Sequence, residues 1–302
     1  MRTVTVVIPS HNSGIYLEEC VASVQDNSTG VDTQIIVVDD ESTDESSLNV
    51  LLSLRHKPGV DVIRHEKNRG VQAARNTGLK AATGDYVICL DGDDVLLRIA
   101  GPDSFLSQAT QMLEENPDLA FIHTMSKMQG EFSGMTIGSY PLTEHMATRK
   151  HHVPTSIVYR RKEIIEGLEY AESVRKWQDW AFGVSLLARR SMRGAGTAVG
   201  FVKGPGHGYR IHSTAPRISR APLSERDAAK PVVEAYLEYF AAKYPGVAKD
   251  VHSLTNAVVN SKPSFLKDLL IMASFDLGQA LELVQQRDYR LSSTIVDKYG
   301  IP

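Results

Sequence analysis

An α/β fold, with a mostly parallel central sheet flanked by helices, follows from three features of this 302-residue chain. Over the first hundred residues, short β-rich apolar runs alternate with amphipathic helical runs, the grammar of strand, crossover helix and strand. The intervening segments are long enough for parallel pairing with right-handed connections. Each strand-like run also ends in polar or acidic residues, so one edge of the sheet collects the chemistry, as open α/β sheets do.

Val4 to Pro9 reads as the first strand. After the polar Ser10 to Ser13, Leu17, Cys20, Val21 and Val24 recur at spacings of three and four, which predicts a helix. Gln34 to Asp39 is a second strand, Thr43 to His56 a helix, Val60 to His65 a third strand, and Gly70 to Ala82 a helix closed by Gly84. Residues 85–90 form a fourth strand leading into Asp91-Gly92-Asp93-Asp94. The rhythm then loosens. A helix is expected near Asp103 to Glu115, a strand near Leu119 to Thr124, a Gly-rich polar stretch from Gly130 to Tyr140, a helix around Trp177 to Ala188 and a strand at Thr197 to Lys203. Residues 203–216 carry glycines and prolines and are expected to turn, with Gly-Pro-Gly-His-Gly at 204–208 providing hinges. Two apolar stripes follow. Val232, Val233, Tyr236, Leu237 and Phe240 make one; Leu266, Leu269, Leu270, Ala273, Leu277, Leu281 and Val284 make the other, and packing on a core is their default role. A boundary is placed near 216: residues 1–216 form the main domain, divided into 1–98 and 99–216, and 217–302 form a C-terminal helical region.

With 42% hydrophobic and 23% charged residues the composition is that of a globular protein with a sizeable core. A net charge of −3 gives no overall basic footprint, so nucleic acid is not the expected partner. Two cysteines can build neither a disulfide framework nor a cysteine zinc site, which favours a reducing cytoplasm. No signal peptide pattern and no apolar run of about 20 residues occurs, so peripheral contact at the inner face of a membrane is the most that is expected.

Three carboxylates within the four residues 91–94 repel one another unless a cation sits among them, so a divalent metal at the sheet edge is the simplest reading; an ordinary solvated turn is the alternative. The first strand delivers Pro9, Ser10, His11 and Asn12 to the same edge, and the second delivers Asp39, Asp40, Ser42 and Asp44. Asp39 can accept from a base N–H or a ribose hydroxyl, whereas Ser42 and Asp44 suit helix capping equally well. Asn68-Arg69-Gly70 and Ala74-Arg75-Asn76 with Gly78 precede the acidic strand. The glycines allow close backbone approach, and Arg75 either reaches phosphates in the cleft or holds the aspartates by an ion pair.

In this order and spacing, Pro-Ser-His-Asn, Val-Val-Asp-Asp with Ser-Thr-Asp, Asn68 with Gly70, Ala-Arg-Asn, and Gly-Asp-Tyr with Leu-Asp-Gly-Asp-Asp resemble the family 2 glycosyltransferases of the GT-A fold, strongly over residues 3–98 and more weakly over 99–215. The resemblance implies a Rossmann-like nucleotide half, an acceptor half, a nucleotide-sugar donor and inversion at the anomeric carbon. It implies Mg²⁺ or Mn²⁺ held by Asp91 and Asp93, with Asp39 and the His11 loop on the base and Arg75 beside the diphosphate. Pro9, Asp40, Gly70 and Gly92 fall on the same donor-binding segments. By the same resemblance Asp179, in Lys-Trp-Gln-Asp-Trp, is the general base that takes the acceptor hydroxyl proton, the bland alternative being a helix cap. Gln178 stands where glutamate is common. Tyr209-Arg210 with His212 resembles the segment folded over the donor, so that Arg210 pairs with the diphosphate and His212 sits at metal or phosphate. Glu41 replaces the usual glycine; a positive φ there costs about 1 kcal/mol, which a type I turn avoids.

The resulting expectation is a non-processive hexosyltransferase of surface-polysaccharide biosynthesis, with a UDP-sugar as favoured donor and a glycan or lipid-linked acceptor. The alternative is a nucleotide-sugar-binding protein without catalysis, acting in assembly or regulation. A nucleotidyltransferase lacks its phosphate loop here, and a processive synthase its membrane helices and Gln-x-x-Arg-Trp segment. Residues 149–193 hold ten Lys and Arg against five Asp and Glu, which suits an anionic acceptor or simply a solvated basic face. Core packing, a homodimer contact and membrane contact are the roles open to the C-terminal helices.

Overall fold

The computed structural model describes residues 1–130, 133–150, 152–211 and 223–285. The expected alternation is present: β1 (Thr3–Ser10), α1 (Gly14–Asp26), β2 (Asp32–Asp39), α2 (Glu45–Leu54), β3 (Val60–Arg64), α3 (Val71–Ala81) and β4 (Tyr86–Cys89) follow in order. β3, β2, β1 and β4 lie side by side and parallel. Their register sets Ser10 opposite Asp39, Asp39 opposite Arg64, and Val7 opposite Cys89, so the strand ends share one edge. Successive side chains divide between two cores: Val6, Ile8, Ile35 and Ile88 pack with α1 on one face, and Val7, Val87 and Cys89 pack with α3 and the helices beyond on the other. Parallel strands covered on both faces need such continuous apolar runs.

The second half continues the same sheet. β5 (Val95–Leu96), α4 (Phe105–Glu115), β6 (Leu119–Gly130), β7 (Gly134–Met135), α5 (Glu144–Thr148), β8 (Val158–Arg160), α6 (Lys162–Ile165), α7 (Gln178–Met192) and β9 (Ala198–Ile211) follow. The strand order runs on from β4 through β8, β6 and β9 to β5, with β7 on β6. β8 is antiparallel to both neighbours, and β6 and β9 are parallel. The first half is thus wholly parallel and the second mixed.

Three sequence expectations are corrected. The glycine run at 204–208 is not a hinge but part of β9, which pairs with β6 across an irregularity between Thr124 and Ser126 and with β5 at Val95 and Leu96. A Cβ on Gly206 would lie 3.0 Å from Phe105, and one on Gly208 2.6 Å from Val95, so these glycines serve close packing and not motion. The first C-terminal stripe is broken into α8 (Glu225–Ala235) and α9 (Leu237–Lys243) at Tyr236. α10 (Val251–Asn260) and α11 (Phe265–Phe275) follow, and the second stripe is not the covered face, since none of its seven residues is fully buried. Met272, Ala280 and Leu283 are buried, but Leu266, Leu270, Leu277 and Leu281 are more than half exposed. The buried residues join the core that contains Trp180 and Phe240, so the C-terminal helices pack on the main body. The boundary expected near 216 falls within 212–222, outside the described residues. Among the described residues no helix is long and apolar enough to cross a membrane.

Candidate active site

The loop after β2 is built around two buried carboxylates. Asp40 accepts from the backbone N–H of Arg69 at 2.9 Å and of Gly70 at 2.7 Å, and pairs with His65 at 2.7 Å. All its capacity is spent within the protein, so it fixes the 65–70 loop. Gly70 makes this possible: its φ of +91° at the start of α3 is a conformation other residues rarely adopt. Asp39 accepts from Ser42 N–H at 3.1 Å and lies 3.3 Å from Arg64, while its Oδ2 makes no hydrogen bond. It forms part of the wall of a cavity of about 300 Å³ whose other walls include Leu48, Leu51, Val62 and Arg55. Such a site, apolar with one buried acceptor and flanking cations, is suited to a planar polar ligand.

The first loop is equally ordered. Pro9 and Ser10 end β1 opposite Val38 and Asp39. His11 meets the Asp40 carbonyl through Nδ1 at 2.9 Å, with the side-chain nitrogens of Asn68 and Asn12 at 3.2 and 3.3 Å from its ring nitrogens. Nδ1–H therefore donates to the carbonyl, and Nε2 accepts. Asp44 caps α2 through Ser47 N–H at 2.8 Å, which holds its carboxyl below the usual range, so capping is its observed role. Ser42 accepts from Asn12 N–H at 2.8 Å instead of capping. Glu41 does adopt a positive φ, +66°, and its carboxylate accepts from Asn68 N–H at 2.7 Å.

The acidic loop separates its three carboxylates by role. Asp94 is buried and turned inward, accepting from Arg210 N–H at 2.8 Å and meeting His207 at 3.0 Å; His207 in turn meets Ser126 at 2.9 Å. Burial raises the Asp94 carboxyl against the His207 hydrogen bond. Asp91 and Asp93 are partly open. A Cβ on Gly92 would lie 3.0 Å from the Pro9 carbonyl, so only glycine lets the first loop press against this one. Two neighbouring partly open carboxylates supply hard oxygen donors of the kind Mg²⁺ and Mn²⁺ take, with the remaining positions left for phosphate oxygens and water. Among the described residues no group of three or more His, Cys, Asp or Glu side chains is placed to hold a metal ion by itself.

α3 carries the parts that join the two halves. A Cβ on Gly78 would lie 2.3 Å from Val7, so α3 rests directly on β1. Asn76 exchanges two hydrogen bonds with the backbone of Tyr170, at 2.8 and 2.9 Å, and Gln72 donates to the Val174 carbonyl. These bonds fix the segment that leads into α7. Buried Arg75 stands over the Tyr170 ring, 5.0 Å from its centroid, and spans two carboxylates: Asp91 at 2.6 Å and Asp179 at 3.4 Å. The ion-pair alternative for Arg75 is thus seen, and one guanidinium sets the distance between the acidic loop and α7.

Asp179 sits in the first turn of α7, with a side chain 37% exposed to the cleft. Burial pushes its carboxyl above the usual range, Arg75 and a Thr155 hydrogen bond oppose this, and Asp91 adds to it. It does not cap the helix. The cap position is Trp177, at φ +64° with no side-chain hydrogen bond. Gln178 beside it is buried.

Arg210 reaches the acidic loop because β5 runs antiparallel to β9, with Val95 opposite Gly208. Its Nε–H donates to the Asp93 carbonyl at 2.8 Å, its Nη2 pairs with Glu19 at 2.5 Å, and it lies over Tyr16 at 4.8 Å. It is placed beside Asp93 but occupied by these partners. His212 lies outside the described residues.

With this geometry in hand, the family model described as Glycosyl transferase family 2 matches residues 5–163, just over half of the chain. The chain belongs to glycosyl transferase family 2. The family match covers β1 to β8 and ends before Asp179 and Arg210. A glycosyltransferase of Haemophilus influenzae described as uncharacterized is 26% identical over 196 residues, 62% of this chain and 63% of its own length. The chain spans smaller shares, 46% and 31%, of two further curated relatives. Among solved structures, S. aureus TarS 1-349 in complex with UDP-GlcNAc superposes with a TM-score of 0.63 over 94% of this chain and 76% of that one, at 18% identity. The mannosyltransferase PcManGT from Pyrobaculum calidifontis, in complex with GDP-Man and Mn²⁺, gives 0.58 over 95% and 80%, at 17% identity. The fold is that of the GT-A glycosyltransferases.

Sequence reasoning missed the residues that position this family 2 site: Tyr170 under Arg75, Thr155 on Asp179, and His207 with Ser126 behind Asp94. None stands in a short motif. The His207 glycine run was visible, and its close packing could have been read from the same glycines.

Proposed function

We propose that this protein is a metal-dependent, inverting glycosyltransferase that moves a sugar from a nucleotide-diphosphate donor, a UDP-sugar by preference, to a hydroxyl of a glycan or lipid-linked acceptor. Arg75 carries the reading: a single buried guanidinium ties Asp91, on the donor edge, to Asp179, on the acceptor side. Inversion requires a base on the face opposite the leaving group, and in this reading Asp179 is that base, joined to the donor edge through Arg75.

In this reading the base lies at Asp39 and the His11 loop, and Pro9, Gly70 and Gly92 let backbone approach the nucleotide. Asp40 contributes by fixing the loop that carries Gly70. Asp91 and Asp93 would hold Mn²⁺ or Mg²⁺, with His212 as a further ligand. The cation would offset the negative charge that gathers on the departing diphosphate. Arg75 keeps Asp91 in place and its charge favours the carboxylate form of Asp179. Asp179 then takes the proton of the attacking hydroxyl. Arg210 would exchange Glu19 for phosphate oxygens. The complexes of TarS with UDP-GlcNAc and of PcManGT with GDP-Man and Mn²⁺ support a nucleotide-sugar donor and a divalent ion. The chain is read as non-processive, with residues 1–216 as the catalytic domain and the C-terminal helices packed on it.

Calorimetric titration with UDP-, GDP-, dTDP- and CMP-sugars, with and without Mn²⁺, tests the donor assignment. Binding of one nucleotide class that strengthens with Mn²⁺ is expected; no binding to any of them would overturn the proposal. Donor binding without transfer across a broad acceptor panel would favour the non-catalytic alternative.

A further inference from the structure

The N-terminus of α7 holds more positive charge than the reaction assigned to it uses. Lys150 is only 7% exposed, and among the described residues its ammonium makes neither a hydrogen bond nor an ion pair. Its nitrogen is not among the sealed unpartnered polar atoms, so the remaining exposure reaches it. The ammonium lies 4.2 Å from the centre of the Trp177 ring and 5.9 Å from that of Trp180. Those two rings flank Asp179 in sequence. A second ammonium, on Lys262, lies 5.6 Å from the Trp177 ring and pairs with Glu225. Aromatic faces compensate a cation only in part. Burial, with Lys262 adding to it, pulls the Lys150 ammonium down to about 8.

Two further features meet there. α7 is 15 residues long, and its cap residue Trp177 offers no side-chain acceptor to the first-turn N–H groups, so Asp179 is the one acidic group of its own first turn at the positive end of the helix. Lys150 and Trp177 both hold left-handed conformations, at φ +61° and +64°. Strain of this kind persists where the surroundings over-determine it, and it gathers at ligand clamps.

We infer that the first turn of α7, with Lys150 and Lys262, is an anion subsite that takes a phosphate group of the acceptor beside the hydroxyl deprotonated by Asp179. The inference rests on the proposed function and names its acceptor class: a hydroxyl-bearing molecule with phosphate close to the reacting oxygen. Asp179 favours the Lys150 charge from a distance, but it forms no ion pair with it and is engaged directly by Arg75 and Thr155. Glu225 and Asp268 likewise favour that charge without touching it, Glu225 being paired with Lys262 and Asp268 accepting from Tyr140, so the compensation of Lys150 is only partial. An incoming phosphate completes that compensation beside a helix N-terminus whose N–H groups have no side-chain cap. The phosphate can belong to a phosphodiester polymer or to a lipid-linked diphosphate.

Calorimetry on the full chain tests this, with Mn²⁺ and UDP present to fill the donor site. Glycerol 3-phosphate, glycerol, glycerophosphoglycerol and dimethylallyl diphosphate are titrated into the wild type, Lys150→Met, Lys150→Arg and Lys262→Met. Glycerol 3-phosphate is expected to bind at least about tenfold tighter than glycerol, as a charge-assisted hydrogen bond in a partly desolvated site provides. Lys150→Met should erase that preference, Lys150→Arg should restore part of it, and UDP affinity should change less than about twofold in each. The tighter of the diester and the diphosphate identifies the source. Equal binding of glycerol 3-phosphate and glycerol by the wild type, or an undiminished preference in Lys150→Met, would overturn the inference. Should Lys150→Met fail to fold, the wild-type comparison and Lys262→Met still decide. Loss of UDP binding in the wild type would instead count against the donor assignment, whichever way the phosphate titrations fall.

Discussion

The two sides of the cleft are built on opposite terms. On the proposed donor side, Asp40 and Asp94 are saturated by protein donors, Asp44 is a cap, glycines at 70, 78 and 92 let three segments press together, and Asp39 Oδ2 faces a cavity without a hydrogen bond. On the proposed acceptor side, a helix without a side-chain cap and a buried ammonium stand without full compensation, while left-handed residues occur on both sides, Asn12 and Glu41 on one and Lys150 and Trp177 on the other. A site that receives the same nucleotide each cycle benefits from being made in advance. A site that must exchange acceptor for product leaves part of its polar capacity for the ligand to complete.

The contrast can be broken most forcefully at Asp91. Asp91→Asn should lower turnover by about hundredfold or more, since stabilisation of a leaving phosphate by a cation is worth several kcal/mol. Chelation should abolish turnover of the wild type, and Mn²⁺ should restore it. A steady-state assay with and without chelator checks both. Undiminished rates would remove the metal from the donor side.

Gly78→Ala asks whether the donor side depends on close contact. The new Cβ would lie 2.3 Å from Val7, in a fully buried core position, so denaturant titration should show a loss of about 1–3 kcal/mol. Donor affinity should fall with it, because α3 also carries Arg75.

Lys150 sharpens the acceptor side through pH. Its ammonium titrates near 8 in the folded chain against an ordinary 10.5, so the unfolded chain binds more protons between those values. Stability from this group therefore rises as pH climbs from about 8 to 10.5, and below 8 its penalty is fully present, on the order of 3 kcal/mol. Lys150→Met should remove that rise and be the more stable protein at pH 7. Parallel stability curves for the two proteins would show that the ammonium is compensated after all.

Glu41 offers the smallest effect. Glu41→Ala keeps the positive φ and loses the bond to Asn68 N–H, a cost of about 1 kcal/mol. Glu41→Gly relieves about 1 kcal/mol of backbone strain while losing the same bond, so thermal unfolding should find it close to the wild type.

Periodicity and turn chemistry made the parallel half legible, because there each strand, helix and glycine obeys a local rule. Asp39, Asp91 and Arg75 were legible for the same reason: they sit at strand ends or on the helix between strands. What escaped depends on contacts across long sequence separations. The extension of β9 through Gly204 to Gly208 is imposed by pairing with β5 and β6, which overrides the turn preference of glycine and proline. The stripe through Leu266, Leu270, Leu277 and Leu281 has a helical period, but the buried Met272, Ala280 and Leu283 lie off it, and periodicity alone cannot say which face is covered. The left-handed Lys150 and Trp177 carry no signal in residue type at all.

The central claim, that Asp179 is the base opposed to a metal-bound leaving group, is tested most directly by comparing Asp179→Asn with the wild type. The predicted result is a fall in turnover of about 10²–10⁴-fold, as loss of a general base costs, with UDP-sugar affinity in the presence of Mn²⁺ changed less than about twofold. Turnover within tenfold of the wild type, or a parallel collapse of donor binding, would contradict it.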